Sequence, residues 1–135
     1  MTATIGYISI LIALLAAAAG IVAPVLSVRG GHAKYSSAIG RSISVQFVFV
    51  TLAASALIYA LVSADFSVRY VAFNTTLATP IYYRVTGLWG ALEGSLLLWE
   101  WILIIFSGLV GWIYRRRHKE TLPWVLMVFS IVSFF

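Results

Sequence analysis

The sequence predicts an all-α protein: a polytopic transmembrane helix bundle with three complete spans, the start of a fourth, and an outer loop carrying a short interfacial helix. Three observations predict it. Hydrophobic residues make up 62% of the 135 and charged residues only 10%, whereas soluble domains are nearer half apolar and a quarter charged. The apolar residues fall into runs long enough to cross ~30 Å of hydrocarbon at ~1.5 Å per residue. The basic residues collect in the short segments between those runs.

Ile5 to Val28 is the first span, nearly unbroken, with Pro24 near its end removing one backbone donor and predicting a kink or an early stop. No Lys or Arg precedes it, and it is longer than the apolar core of a signal peptide, so it reads as a retained span. Ile43 to Val62 is the second, interrupted by Ser44, Gln46 and Ser55. Leu96 to Tyr114 is the third. Leu122 to Phe135 begins a fourth that is shorter than the ~20 residues a crossing needs, the pattern of a fragment or of one piece of a split protein. The four runs and the 63–93 loop make one membrane domain, the N-terminal part of a larger protein. Small residues recur on single faces, Ala13, Ala17 and Gly20 on the first helix, Ala53, Ala56 and Ala60 on the second, Ser107 and Gly111 on the third. That spacing lets helices approach closely in lipid.

Loop charge gives a direction. The 29–41 loop carries Arg29, Lys34 and Arg41, and the 115–120 loop carries Arg115, Arg116, Arg117 and Lys119 against one acid. The long 63–93 connection carries Asp65, Arg69, Arg84 and Glu93, which cancel. The positive-inside rule then puts the two basic loops in the cytoplasm, and the N-terminus and the long loop outside. The same rule accounts for the formal charge of +5. The basic residues form no stripe, so nucleic acid is not an expected partner. With no cysteine, disulfides, thiolate metal sites and cysteine nucleophiles are excluded, while the compartment stays open.

In the outer loop Phe66, Tyr70 and Phe73 are spaced i, i+4, i+7, one aromatic stripe of a short helix lying in the headgroup region. Asn74-Thr75-Thr76 matches a glycosylation sequon, without any further sign of a secretory route. Thr79-Pro80 then breaks the segment. The stretch from Tyr82 to Trp101, YYRVTGLWGALEGSLLLWEW, follows. It sets Glu93 and Glu100 among Trp89, Trp99 and Trp101, and tryptophan favours the membrane–water boundary.

Glu93 falls where the third helix should begin. There it either meets the free N–H groups and positive dipole end of that helix or contacts an ion-pair partner or ligand, with Arg84 the nearest cation in sequence. Glu100 lies seven residues on, on the same face and roughly 10 Å deeper. At that depth a carboxyl group must be neutral, paired, or facing a hydrated interior. Ser55 and Tyr59 on the second span lie at a comparable level. His32 and His118 sit in basic loops without a second ligand at useful spacing, so no metal site is expected. There is no catalytic triad, no nucleophile beside a base and no glycine-rich phosphate cradle.

The run WGALEGSLLLW, from Trp89 to Trp99, resembles the signature of the cytochrome c maturation haem lyases of CcmF type, and FSVRYVAFNTTLATPIYYR, from Phe66 to Arg84, resembles that family's outer loop. The resemblance implies a multi-pass protein of the bacterial cytoplasmic membrane, with relatives in some mitochondria. It implies attachment of haem to the CxxCH motif of apocytochrome c on the outer side, with haem arriving on a carrier protein and other maturation subunits as partners. The b-type haem bound by such a protein and its histidine ligands belong to regions beyond this sequence, so the resemblance identifies no catalytic residue here. It carries over to Trp89, Gly90, Glu93, Gly94, Ser95 and Trp99, as an outer-facing wall beside the haem platform. Trp89, Glu93 and Trp99 are then the rim candidates for haem contact, and Arg84 the candidate anchor of Glu93. Many members carry a histidine where this chain has Leu92, and a valine-like residue is expected where it has Glu100. Two other readings stand beside this one: a related haem exporter or system II synthase subunit, and a membrane scaffold or ion-pathway subunit in which Glu93 and Glu100 relay protons.

Overall fold

The computed structural model describes residues 2–30, 32–114 and 121–134. Among them it is helical with no strand: α1 (Thr2–Gly30), α2 (His32–Val62), α3 (Arg69–Asn74), α4 (Ile81–Gly90), α5 (Leu92–Tyr114) and α6 (Leu122–Phe134). Segments Ala3–Val22, Gly40–Val62 and Leu92–Tyr114 are long and apolar enough to cross a membrane, and α6 is a shorter apolar helix. The basic 115–120 segment with His118 lies outside the described residues, and of His32 only the backbone is described.

Two helices outrun their apolar windows. α1 continues through Pro24 to Gly30, and α2 begins at His32. The stop expected at Pro24 and most of the loop expected over 29–41 are thus helix. Apolar composition locates the part of a helix that suits lipid, whereas the helix end depends on where the backbone turns, and one missing donor at proline does not force an end within a membrane helix.

α1 and α2 form an antiparallel hairpin, with Gly6 beside Ala56 near one end and Ser42 donating to the Ala16 carbonyl near the other. α6 packs antiparallel to α5, with Leu126 against Gly111 and Ser133 against Glu100. It runs beside α2 in the same direction, Ser130 near Ser42 and Ser133 near Gln46. Lipid tails are as apolar as leucine, so these helices gain little from apolar burial alone and associate by close packing and interhelical hydrogen bonds. The small-residue faces supply that packing: Ala13, Ala17, Ala53, Ala60 and Ser107 are all buried.

A tight crossing lies at Gly20. A β-carbon there would lie 3.0 Å from Ser42 Oγ and 3.1 Å from Ser130 Cβ, closer still to Ser130 Oγ. Three helices meet at this point.

The connection between α2 and α5 is also ordered. α2 ends in a Schellman arrangement, Asp65 N–H donating to the Ala60 carbonyl at 2.9 Å and Ala64 N–H to that of Leu61 at 3.3 Å. Ala64 takes the left-handed conformation that this ending needs, at φ 51°, a position usually held by glycine. Asp65 then accepts from Ser67 N–H at 3.1 Å and Ser67 Oγ at 2.6 Å, a local bond that competes with helix. For that reason α3 is only six residues long. The expected stripe divides: Phe66 precedes the helix, Phe73 points out over the Arg69 guanidinium at 5.5 Å, and Tyr70 turns inward. α4 was not expected. Its signals are Pro80 ahead of the first turn and the apolar spacing Ile81, Val85, Leu88.

Two substitutions test this packing by thermal unfolding in detergent. Gly20→Val should destabilise by roughly 1–3 kcal/mol through overpacking, whereas Gly108→Ala, with nothing within 4 Å of the added carbon, should be neutral or stabilising. Ala64→Gly should stabilise by about 1 kcal/mol by removing the left-handed strain.

Candidate functional site: the α4–α5 junction and the groove beside α5

The stretch from Tyr82 to Trp101 folds as two helices hinged on one extended residue, Ala91, at φ −138° and ψ 164°. Side chains close the hinge. Ser95 Oγ donates to the Trp89 carbonyl at 2.9 Å and Ser95 N–H to that of Ala91 at 3.0 Å, which satisfies carbonyls that the end of α4 leaves free. Tyr70 Oη donates to the Gly87 carbonyl at 2.7 Å. Gly94 faces Tyr70 Oη and the Leu88 carbonyl with no room for a β-carbon. Beneath it, Ala60, Leu61, Val71 and Leu88 form a buried cluster with Leu98 against it. Burial holds the Tyr70 phenol above the ordinary tyrosine range, and the nearby Glu93 carboxylate pushes the same way, against backbone N–H groups of Ala91 and Gly94. Tyr70 therefore stays a protonated donor through neutral pH, and its contribution is lost only as pH rises past that elevated value.

Arg84 is not the partner of Glu93. Its Nε donates to the Thr79 carbonyl at 2.8 Å, one terminal nitrogen to Leu77 at 2.9 Å and the other to Val62 at 3.2 Å. The guanidinium thus caps the C-terminal end of α2, where a cation is favoured by the helix dipole, and ties the 77–79 loop to it. Glu93 is exposed in the first turn of α5. It makes no side-chain hydrogen bond among the described residues, so of its two readings only the dipole contact is realised within this bundle.

The rim candidates do not form one cluster. Glu93, Trp99 and Glu100 line a single groove of about 750 Å³ between α1, α5 and α6, with Leu97, Phe106 and Phe129 on its walls. Trp89 stands outside that lining, exposed on α4, and Gly90 has open space around it.

Glu100 pairs neither with Ser55 nor with Tyr59. Its contact is Ser133 on α6, whose Oγ also lies 3.1 Å from Gln46 Oε1; Gln46 Nε2 donates to Ser42 Oγ at 3.4 Å. One level away, Trp101 Nε1 donates to Thr51 Oγ1 at 3.1 Å. At this level α2 thus presents Thr51, about one turn from Ser55 and about two from Tyr59. Gln46 and Ser133, polar residues in apolar runs, were the available signals for this network. Among the described residues no group of acids and histidines is placed to hold a metal ion.

Comparison with known proteins gives this geometry a relationship. No protein-family model matches the chain. It is 34% identical over 133 residues to the cytochrome c-type biogenesis protein CcmF of Pseudomonas aeruginosa, covering 98% of this chain and 20% of that protein. It is 37% identical over 122 residues to CycK of Rhizobium meliloti, covering 90% and 18%. A solved structure of the cytochrome c haem lyase CcmF superposes on 99% of the chain with a TM-score of 0.90 at 25% identity, over 22% of that chain. The chain is of CcmF type. It spans about a fifth of the length of these relatives.

The CcmF-type signature then divides by physical role. Gly94 and Ser95 shape the hinge from inside. Trp89, Glu93 and Trp99 have no internal duty that fixes their identity, since the two indoles are 72% and 67% exposed.

Gly94→Ala should destabilise the α4–α5 hinge by roughly 1–3 kcal/mol through overpacking, while Gly90→Ala should leave it unchanged. Tyr70→Phe should cost about 1 kcal/mol, one hydrogen bond. Thermal unfolding and proteolysis of the 63–91 connection in detergent would report both.

Proposed function

We propose that this chain forms part of the membrane haem lyase that attaches haem covalently to apocytochrome c. The carrying observation is similarity along nearly the whole chain, with the run from Trp89 to Trp99 folded as a closed hinge. In this reading the protein sits in the bacterial cytoplasmic membrane with its N-terminus and the 63–93 connection outside, the direction favoured by loop charge. Its partners are other cytochrome c maturation subunits, a haem-carrier protein and apocytochrome c. Haem is handled by the complete protein as a b-type group, with ligands supplied by regions other than this chain.

The contribution of this chain is shape. A haem edge or an apocytochrome segment meeting the membrane surface needs an apolar, aromatic wall that does not collapse when empty. The Arg84 and Tyr70 bonds and the packed Gly94 hold α4 against α2 and α5, while Trp89, Trp99 and Glu93 are presented outward. Aromatic faces give large contact area at low cost in conformational entropy. Glu93 adds one negative charge at the rim, placed to receive a cation from a neighbouring segment or partner.

The test is covalent haem in c-type cytochromes, measured by haem staining in the native host. Deleting the coding sequence for this chain should abolish stained cytochrome c, and normal staining would overturn the proposal. At unchanged protein level, Glu93→Gln and Trp89→Ala should each lower maturation several-fold, by about the effect of one charge-assisted or aromatic contact. Full maturation in both variants would remove the rim from the mechanism.

A further inference from the structure

The groove beside α5 has an unmet chemical demand. Of the three membrane-length segments that of α5 is the least covered, 11% of its most apolar stretch being buried against 28% and 33% for those of α1 and α2. Its open side carries Leu96, Trp99 and Phe106, all more than half exposed, with Glu100 set between them and the wall of α6. The two oxygens of a carboxyl group have room for several hydrogen bonds, and within a span such a group is normally paired. Here one hydroxyl reaches it. Ser133 has a single proton, shared between Glu100 Oε1 and Gln46 Oε1, and Gln46 directs its own amide donor away, to Ser42. Among the described residues no cation approaches Glu100, and no hydrogen bond reaches its second oxygen.

We propose that this groove seats a transmembrane helix that brings a hydrogen-bond donor or cation to Glu100, and that the helix comes from the part of the CcmF-type length this chain does not span. The inference rests on the CcmF-type reading for the source of the helix. Its chemistry rests on Glu100. Charge complementarity selects the occupant: a lipid tail fills the apolar walls equally well but supplies no donor. A second copy of this chain would bring no cation, because its described spans carry no Lys or Arg between Ser42 and Leu61 or between Glu93 and Tyr114, and a crosslink between copies is one of the outcomes that overturns the proposal. Glu100 is then a positioning residue that selects one helix and one register in an otherwise greasy interface, the use for which a lone buried polar group is best suited.

A photo-crosslinking residue placed at Phe106 in the native membrane tests the proposal, with Tyr59, exposed on α2 and not part of the groove, as the comparison site. The Phe106 crosslink should map by mass spectrometry to a transmembrane segment of the remaining CcmF-type sequence that carries a basic, amide or hydroxyl side chain within a turn of the linkage. Glu100→Leu should lower its yield about tenfold, the loss of one charge-assisted bond, and Glu100→Gln, which keeps an accepting oxygen and the Ser133 contact, should lower it less. Crosslinks to lipid alone, to a second copy of the chain, or to a wholly apolar segment would overturn it, as would yields that neither substitution changes. Haem staining of the same strains reports the maturation reading separately, so a failed groove and a failed family role give different results.

Discussion

Backbone carbonyls at the ends of α2 and α4 are the constraint around which the signature region is built. A helix end leaves four carbonyls without partners, and near a hydrocarbon layer water cannot be relied on to supply them. Three side chains do so instead. Arg84 serves Val62, Leu77 and Thr79, Tyr70 serves Gly87, and Ser95 serves Trp89. Each of these bonds joins segments that would otherwise be separate, α4 to α2, α3 to α4, and α5 to α4. Once they are in place, Gly94 has a fixed neighbour on each side and the hinge has one geometry. The donors are few and each is used for an acceptor with no alternative.

That economy explains which parts of the molecule could be read from the sequence. The long helices and their small-residue faces were legible, because lipid imposes a composition and a spacing that do not depend on partners. The family was legible through the run WGALEGSLLLW, whereas the hinge that this run forms was not. Nothing in the sequence says that Tyr70 donates to Gly87, since the two are brought together by α3 and α4, and α4 itself is too short for a decisive apolar period. The Arg84–Glu93 pairing failed for a related reason. Nearness in sequence and opposite charge favour it, but an arginine with five N–H donors beside three unsatisfied carbonyls has a better use for them. For Glu100 the sequence offers Ser55 and Tyr59 at a comparable level and no certain cation, and the contact is instead Ser133, whose approach depends on how α6 packs on α5.

The two glutamates of this stretch consequently belong to different problems. Glu93 sits in the first turn of α5, exposed, with the helix dipole favouring its charge, and it needs no partner in order to be tolerated. Glu100 sits two turns along the same groove, and there its charge is costly unless donors arrive. A valine-like residue is the expectation at that position, and valine would remove the cost entirely. The polar connection that runs from Glu100 through Ser133 and Gln46 to Ser42 and the Ala16 carbonyl spans α5, α6, α2 and α1. It ends on a backbone acceptor of α1 and ties four helices together. It is short of donors at Glu100, where one Ser133 proton serves two acceptors and the second carboxyl oxygen has none among the described residues. Because Glu100 lines the uncovered groove, a donor that completes it has to come from what covers that groove, and a neighbouring helix can supply one where a lipid tail does not.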